Sequence, residues 1–510
     1  MVNNSYTPPS LNRIIENNVV IRTAKRGLPD PGKRPDGTPF SFDLGKIDNA
    51  YILGNEVYGM NFDVPSDMFF YNSGNGSPIL QNAFYPAIQE AIESLMSTEI
   101  SQYAYASGDK LCRCRVAEYL NKEGFISDSS NGLINENQII FFNSTTEAFS
   151  LIMKLICRPG DVVLFAAPTY GLLVYAPERV GGISRIIPLS EEDNWMINPD
   201  KLEKVIKMIN YELRLCDEYK YIPCVTAFVN INPNNPTGRV MGKNEIHILE
   251  ELSNVCKRNG VFIIDDLIYR DLSFDMNDKA VPIASLEGAF SNTITMFGTS
   301  KSFGLAGVRA GAVVANETVI RGLRNELFQL MDSTSLIVSH VLAASFNVSI
   351  EREACYDDYF QNIISIYKFN WNLMKVLIDG ETDSHSLDET EKKIVRKYFK
   401  EDATAILEIG IKELKIAGNI EPEAGFFVLV DFSSVVGYKD VFTDTLLNNE
   451  MDVLYYFYRV ANVKLLTGSS FAWPIDNQVV ARISYAYEKD DLVKMMRQIY
   501  IAIKKLVVVK

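Results

Sequence analysis

Between residues 299 and 311 the chain reads TSKSFGLAGVRAG, one lysine and one arginine in a run of otherwise small or apolar residues. Solubility does not account for Lys301 there. A lysine in such surroundings loses hydration, its pKa falls, and the neutral amine becomes a nucleophile for carbonyls. Arg309 follows closely enough for a short loop to bring its planar fork to the same anion, and the glycines let backbone approach that anion. Taken alone, the segment reads equally well as a glycine-rich turn carrying two surface cations.

Four other loops shift that balance. NPNNPTG (232–238) has two prolines and a glycine that fix a rigid turn, on which Asn235 can donate a side-chain hydrogen bond in a set direction. In IIDDLIYRD (263–271), Asp266 ends an apolar run, where a carboxylate is costly unless a cation pairs with it; a helix cap by Asp265 or Asp266 is the simpler reading. NSTTEA (143–148) opens a helical pattern with Ser144, Thr145 and Thr146, an anion site through backbone N–H groups or merely a cap. APTYG (167–171) places Tyr170 where a ring could stack on a planar ligand, although a core tyrosine is the commoner outcome. A carbonyl-trapping amine, an anion nest with an arginine, a carboxylate for a ring cation, an amide donor and a stacking ring together match the needs of pyridoxal 5′-phosphate.

Such loops need strands to hold them. Strand candidates are QIIFFN (138–143), DVVLFAAP (161–168), CVTAFVNI (224–231), VFIIDD (261–266), TITMFG (293–298) and AGAVVAN (310–316), nearly all apolar as strands covered on both faces should be. Helical patterns lie between them, among them 145–158 and 243–260, the latter ending in a glycine stop. The alternation predicts an α/β fold with a mostly parallel, doubly wound sheet, and ligands in such sheets sit at the carboxyl ends of the strands. After residue 345 longer helices and the strands GFFVLVDF (425–432) and VVARISYA (479–486) predict a smaller α+β domain, with the charge run 379–402 as a solvated helical insertion. The expected division is an N-terminal extension at 1–70, a large domain at 103–345, and a small domain from 71–102 and 346–510.

Composition narrows the class. At 510 residues, 47% hydrophobic and 22% charged, the chain is long enough for two packed regions and reads as a soluble protein. A net charge of −14 lacks the basic footprint of a nucleic-acid partner. The seven cysteines form no CxxC array and read as reduced core thiols, and three histidines are few for a metal site or a Ser-His-Asp hydrolase. Neither a signal-peptide pattern nor a bilayer-length apolar run occurs, so a cytoplasmic location without membrane association is expected.

In order along about residues 71–490, these motifs resemble the class I/II aminotransferase family of fold-type I pyridoxal-phosphate enzymes. The resemblance implies that Lys301 carries the Schiff base and that Arg309 holds the phosphate, with the NSTTEA loop (Ser144, Thr145, Thr146). It sets Asn235 and Tyr269 against the phenolic oxygen, Asp266 against the pyridine nitrogen, and Tyr170 over the ring. YAYASGDKLCR implies that Tyr103 reaches the phosphate of the neighbouring subunit in a homodimer, with Tyr105 a possible substitute. SGNGSP (73–78) places Gly76, and VVARISYA places Arg482, beside the substrate with Asn235, Arg482 on its α-carboxylate.

The chain departs from the family plan at Gly298, where many members have Ser or Thr; Thr299 or Ser300 is the expected replacement for that phosphate contact. Dicarboxylate-specific relatives have an additional arginine near 329–340, and QLMDSTSLIVSH has none, which argues against aspartate or glutamate as preferred donor. The implied activity is transfer of an amino group from an amino acid to a 2-oxo acid. The same motifs serve decarboxylases and carbon–carbon or carbon–sulfur lyases, the alternative reading. Residues 1–70 show no helix-turn-helix pattern, which sets aside a DNA-binding regulator.

Overall fold

The structure, a computed structural model, describes residues 71–73, 83–98, 100–215 and 221–508. The expected extension at 1–70 lies outside the described residues. The strands in chain order begin with β1 (Tyr71–Asn72), β2 (Ile139–Phe142), β3 (Val162–Ala167), β4 (Ile183–Pro188), β5 (Val225–Ile231), β6 (Phe262–Asp266), β7 (Thr293–Gly298) and β8 (Gly311–Val314). Seven of them form one sheet in the order β2-β8-β7-β6-β5-β3-β4, in which β8 runs against its neighbours and the other adjacent pairs are parallel.

All six strand candidates of this region formed, and the reason is burial on both faces. Val163 and Phe165 pack into one apolar cluster while Val162 and Leu164 pack into another on the opposite side of the sheet. Sequence reading missed β4, because Ser184 and Arg185 interrupt its apolar run at the sheet edge. The helices at Thr145–Ile156 and Ile246–Arg258 cover the sheet where the periodicity placed them, the first capped by Ser144 and the second followed by Gly260 at φ 68°.

The C-terminal part adds β9 (Lys415–Ile416), β10 (Phe427–Asp431), β11 (Tyr438–Asp440), β12 (Thr445–Leu446), β13 (Val463–Lys464), β14 (Leu466–Thr467), β15 (Val480–Ser484) and β16 (Leu506–Val508). Its main sheet runs β14-β15-β10-β9, so GFFVLVDF and VVARISYA supply its two central strands, paired antiparallel with Leu429 opposite Arg482. The stretch 71–102 is shared between the two parts. β1 pairs with β13, whereas helix Tyr85–Met96 packs Ala87 and Ala91 against Val338 and Val341 of helix Leu336–Ser345, in the cluster that also holds Phe141 and Ala312 of the large sheet.

The charge run 379–402 is more than a solvated face. Asp388 and Glu391 form a reciprocal capping box that starts helix Glu389–Phe399. Its charged side faces solvent, while Val395 and Phe399 enter the C-terminal core beside Leu492 and Met496 of helix Lys489–Lys505. The Phe399 ring lies 5.6 Å from that of Tyr500. Phe399→Ala is therefore expected to destabilise the protein by about 3 kcal/mol, as a buried aromatic deletion does. Chemical denaturation checks this; a loss within about 0.5 kcal/mol, the range of ordinary surface changes, would mark the segment as a solvated appendage.

Candidate active site

A cavity of about 520 Å³ opens at the carboxyl edge of the large sheet. Its walls come from the chain leaving β2 (Ser144, Thr145, Thr146), β3 (Tyr170), β6 (Asp266, Tyr269) and β7 (Ser300, Lys301), from Asn235 beyond β5, and from Arg309 just before β8. Because β8 is antiparallel, it begins at the same edge where the other strands end. Arg482 of β15 enters from the C-terminal sheet. Eleven residues singled out from the sequence thus share one cavity. Tyr103 is 87% exposed and absent from the lining of its own chain's cavity, and Gly76 lies outside the described residues.

Burial sets the charge states. Desolvation lowers the Lys301 amine to about 8, helped by the guanidinium charges of Arg482 and Arg309 and opposed by Asp266. The same desolvation raises the Asp266 carboxyl to about 7, with the neighbouring Asp265 adding to the rise, while the backbone N–H of Ile268, 3.1 Å from Oδ1, and the Lys301 charge act against it. Strand alternation separates the two aspartates. Asp265 turns to the other face, where Asn230 Nδ2 at 2.8 Å and the Ile283 N–H at 2.9 Å satisfy it, and Asp266 alone faces the cavity. Neither caps a helix.

Asn235 is buried and its Oδ1 accepts from Arg482 Nη1 at 2.9 Å, which directs its Nδ2 donor elsewhere. The Arg482 guanidinium lies 4.7 Å from the Phe427 ring and 4.9 Å from the Phe471 ring. Phe471 is in turn tied to the loop of Tyr170 by the Thr169 N–H, 2.9 Å from its carbonyl. Sequence reading missed both rings. Phe427 stood in a strand candidate as one apolar residue among many, and nothing local marks Phe471.

At the other end of the cavity Ser144 Oγ accepts from the Glu147 N–H at 3.1 Å, an ordinary cap that leaves the preceding helical N–H groups as the anion-facing ones. A Cβ on Gly311 would stand 2.7 Å from the Thr145 nitrogen, so β8 passes directly beneath this helix start. Arg309 adopts the left-handed backbone region, φ 62°, at a cost of roughly 1 kcal/mol or more for a residue with a side chain. Gly298 has a steric reason: a Cβ there would stand 2.8 Å from the Ala310 carbonyl oxygen. Of its two candidate replacements, Ser300 lines the cavity and Thr299 is buried away from it. An amine of lowered pKa, a fully buried carboxylate, an amide donor, a ring and an N-terminal helix turn beside an arginine fit pyridoxal 5′-phosphate by donor type.

Comparison with known proteins agrees with that chemistry. The family model described as aminotransferase class I and II matches residues 75–375. An aspartate aminotransferase of Pyrococcus abyssi is 28% identical over 52% of this chain and 61% of its own length. An LL-diaminopimelate aminotransferase of Nitratidesulfovibrio vulgaris is 28% identical over 40% of this chain and 49% of its own. The cystathionine beta-lyase PatB of Bacillus subtilis is 28% identical over 46% of this chain and 54% of its own. These alignments span about half to three fifths of each relative's length. Among solved structures, the aspartate aminotransferase of Rhizobium meliloti superposes with a TM-score of 0.66 at 17% identity, covering 91% of this chain and 96% of its own. The aromatic aminotransferase of Pyrococcus horikoshii does so at 0.63 and 20%, covering 89% and 99%. The fold is theirs.

The raised Asp266 carboxyl has a consequence for the cofactor-free protein. Folded Asp266 keeps its proton to about pH 7, whereas the unfolded chain releases it near the ordinary carboxylate value, so stability falls as pH rises between the two. Asp266→Asn is expected to stabilise the cofactor-free protein at pH 8 by on the order of 2 kcal/mol and to leave it unchanged near pH 4. Denaturation of both proteins at the two pH values checks the sign. Destabilisation by the Asn variant at pH 8 would show instead that attraction to Lys301 outweighs burial.

Proposed function

The chain belongs to the aminotransferase class I and II family, which depends on pyridoxal 5′-phosphate, and on that premise we propose that it moves an amino group from an amino acid to a 2-oxo acid. The observation that supports this most is the Lys301 amine, depressed to about 8, in one cavity with the buried Asp266 and with Arg482. When bound, the cofactor supplies an electron-accepting ring in conjugation with the substrate nitrogen. In this reading Lys301 holds the cofactor covalently, Asp266 pairs with its ring nitrogen, and Asn235 Nδ2 and the Tyr269 hydroxyl bond its phenolic oxygen. Ser144, Thr145, Thr146, Ser300 and Arg309 hold the phosphate, and Tyr170 lies against the ring face.

Arg482 takes the substrate α-carboxylate through two parallel N–H donors, with Asn235 steadying its orientation and Gly76 beside the substrate. Lys301 Nζ takes the proton from the substrate α-carbon, a task suited to an amine that burial, helped by the nearby Arg482 and Arg309 charges, keeps from holding its own proton tightly. The two lobes of the reading are 103–345 and the part built from 71–102 and 346–510. The protein is proposed to be a cytoplasmic homodimer. Tyr103, exposed near Ile100, Tyr105 and Leu111, would reach the partner's phosphate site. Among the described residues no helix is long and apolar enough to cross a membrane.

The second reading is a lyase or decarboxylase, favoured by a relative named cystathionine beta-lyase at the same 28% identity as the aminotransferases. Adding single amino acids to the cofactor-loaded protein without an oxo acid separates the two. An aminotransferase releases one oxo acid per site and stops; repeated release of carbon dioxide or a side-chain fragment would establish the other reading. Lys301→Ala is expected to retain cofactor non-covalently and to lose about a thousandfold or more in kcat. Near-normal turnover by that variant would refute the assignment of Lys301.

Two guanidinium groups, Arg309 and Arg482, line the cavity among the described residues, and both are assigned. A second substrate carboxylate would find no further guanidinium among these described lining residues. Aspartate is therefore expected to show a kcat/KM about tenfold or more below that of the best monocarboxylic donor. Steady-state comparison across the common amino acids measures this, and equal or better use of aspartate would contradict it.

A further inference from the structure

Glu423 lies outside the cavity lining, yet it holds the chain that carries Asn235 at three points. Its backbone N–H donates to the Gly238 carbonyl at 2.9 Å. Its Oε2 accepts from the Val240 N–H at 2.9 Å, and its Oε1 accepts from Arg239 Nη1 at 2.7 Å. The loop so gripped is closed on itself. Gly238 N–H donates to the Asn234 carbonyl, Asn234 N–H to the Arg239 carbonyl, and Thr237 Oγ1 to Asn234 Oδ1. Approach is tight: a Cβ on Gly238, at φ 71°, would stand 2.6 Å from Pro422 Cβ, so only glycine lets segment 422–424 seat here.

The same segment leads into β10. Its Glu423 carbonyl accepts from the Phe274 N–H at 2.7 Å, and four residues later Phe427 presents the ring that covers Arg482. Arg482 is thus fixed on one side by Asn235, whose loop Glu423 grips, and on the other by Phe427, whose strand Glu423 precedes. We infer that Glu423 is a positioning residue for substrate recognition: its clamp on Arg239 and Val240 sets the distance between Asn235 and Phe427 and so aims the Arg482 guanidinium. This rests on the reading of Arg482 as the carboxylate-binding residue. The pair is charge-assisted, with Arg239 16% and Glu423 42% exposed at the side chain: the guanidinium is shielded and the carboxylate is partly open to water, so the constraint comes from the direction of the three hydrogen bonds more than from charge attraction.

The test uses the cofactor-loaded protein and two readouts: calorimetric affinity for an unreactive monocarboxylate, 3-phenylpropionate, and the split between KM and kcat for the best amino acid donor. Glu423→Gln is expected to weaken 3-phenylpropionate binding and to raise KM about tenfold, with kcat changed less than about threefold. Arg239→Lys, which keeps the charge and loses the fork, should move both in the same direction. Should either variant fold poorly, the exchange Glu423→Arg with Arg239→Glu is measured instead, and recovery of half or more of the affinity relative to Glu423→Arg alone supports the clamp. Unchanged affinity in Glu423→Gln and Arg239→Lys, with Arg482→Lys weakened, overturns the positioning role and leaves Arg482's role intact. Unchanged affinity in Arg482→Lys overturns the carboxylate reading, and the clamp's role with it.

Discussion

The structure turns on removing one amine and one carboxylate from water at the same sheet edge. Burial pushes Lys301 down to about 8 and Asp266 up to about 7, opposite shifts with one cause, and each is held back by attraction to the other. Neither state is favourable by itself. It persists because the strands beneath are apolar on both faces and anchor the loops in a core large enough to absorb the cost. Arg482 and Arg309 then act on Lys301 as neighbouring charges, which further favours the neutral amine.

Register gives this constraint its selectivity. Asp265 and Asp266 are adjacent in sequence and chemically identical, yet the period of two in β6 sends them to opposite faces. One finds Asn230 and the Ile283 N–H; the other finds the cavity. A slip of one residue against β5 or β7 would exchange their roles and bury the wrong carboxylate. The pairings Asp265 with Asn230 and Asp266 with Ile231 in β5 therefore protect the chemistry as much as the sheet.

The central strands and the loops leaving them were legible because their signals are local: continuous apolar runs, and turn formers immediately after them. β4 was not, since an edge strand tolerates Ser184 and Arg185 and so loses the apolar signature. Helix Glu389–Phe399 was misjudged for a related reason, its many charges masking the spacing of Val395 and Phe399. Gly298 was noticed as a departure, and its explanation, the closeness of the Ala310 carbonyl, exists only once β7 and β8 are paired. Phe471 and Glu423 were invisible in principle: they act on Tyr170's loop and on Asn235's loop across 302 and 183 or more positions of sequence, and no spacing rule reaches that far.

Those long-range contacts explain how two distinct sheets can share one site. Arg482 belongs to the C-terminal sheet and Lys301 to the large one, so their relation cannot be set by either sheet alone. Asn235 bridges them, accepting from Arg482 in the loop that follows β5, and the Phe427 and Phe471 rings, 4.7 and 4.9 Å from the guanidinium, help to keep it from water. Guanidinium is weakly hydrated and planar, which makes it the cation that tolerates such enclosure and still presents two donors along one edge. A lysine at 482 would keep the charge but lose the stacking and the bridge to Asn235 together. The geometry of the site therefore depends on shape as well as charge at that position, and the arginine couples the two sheets through the group that faces the cavity.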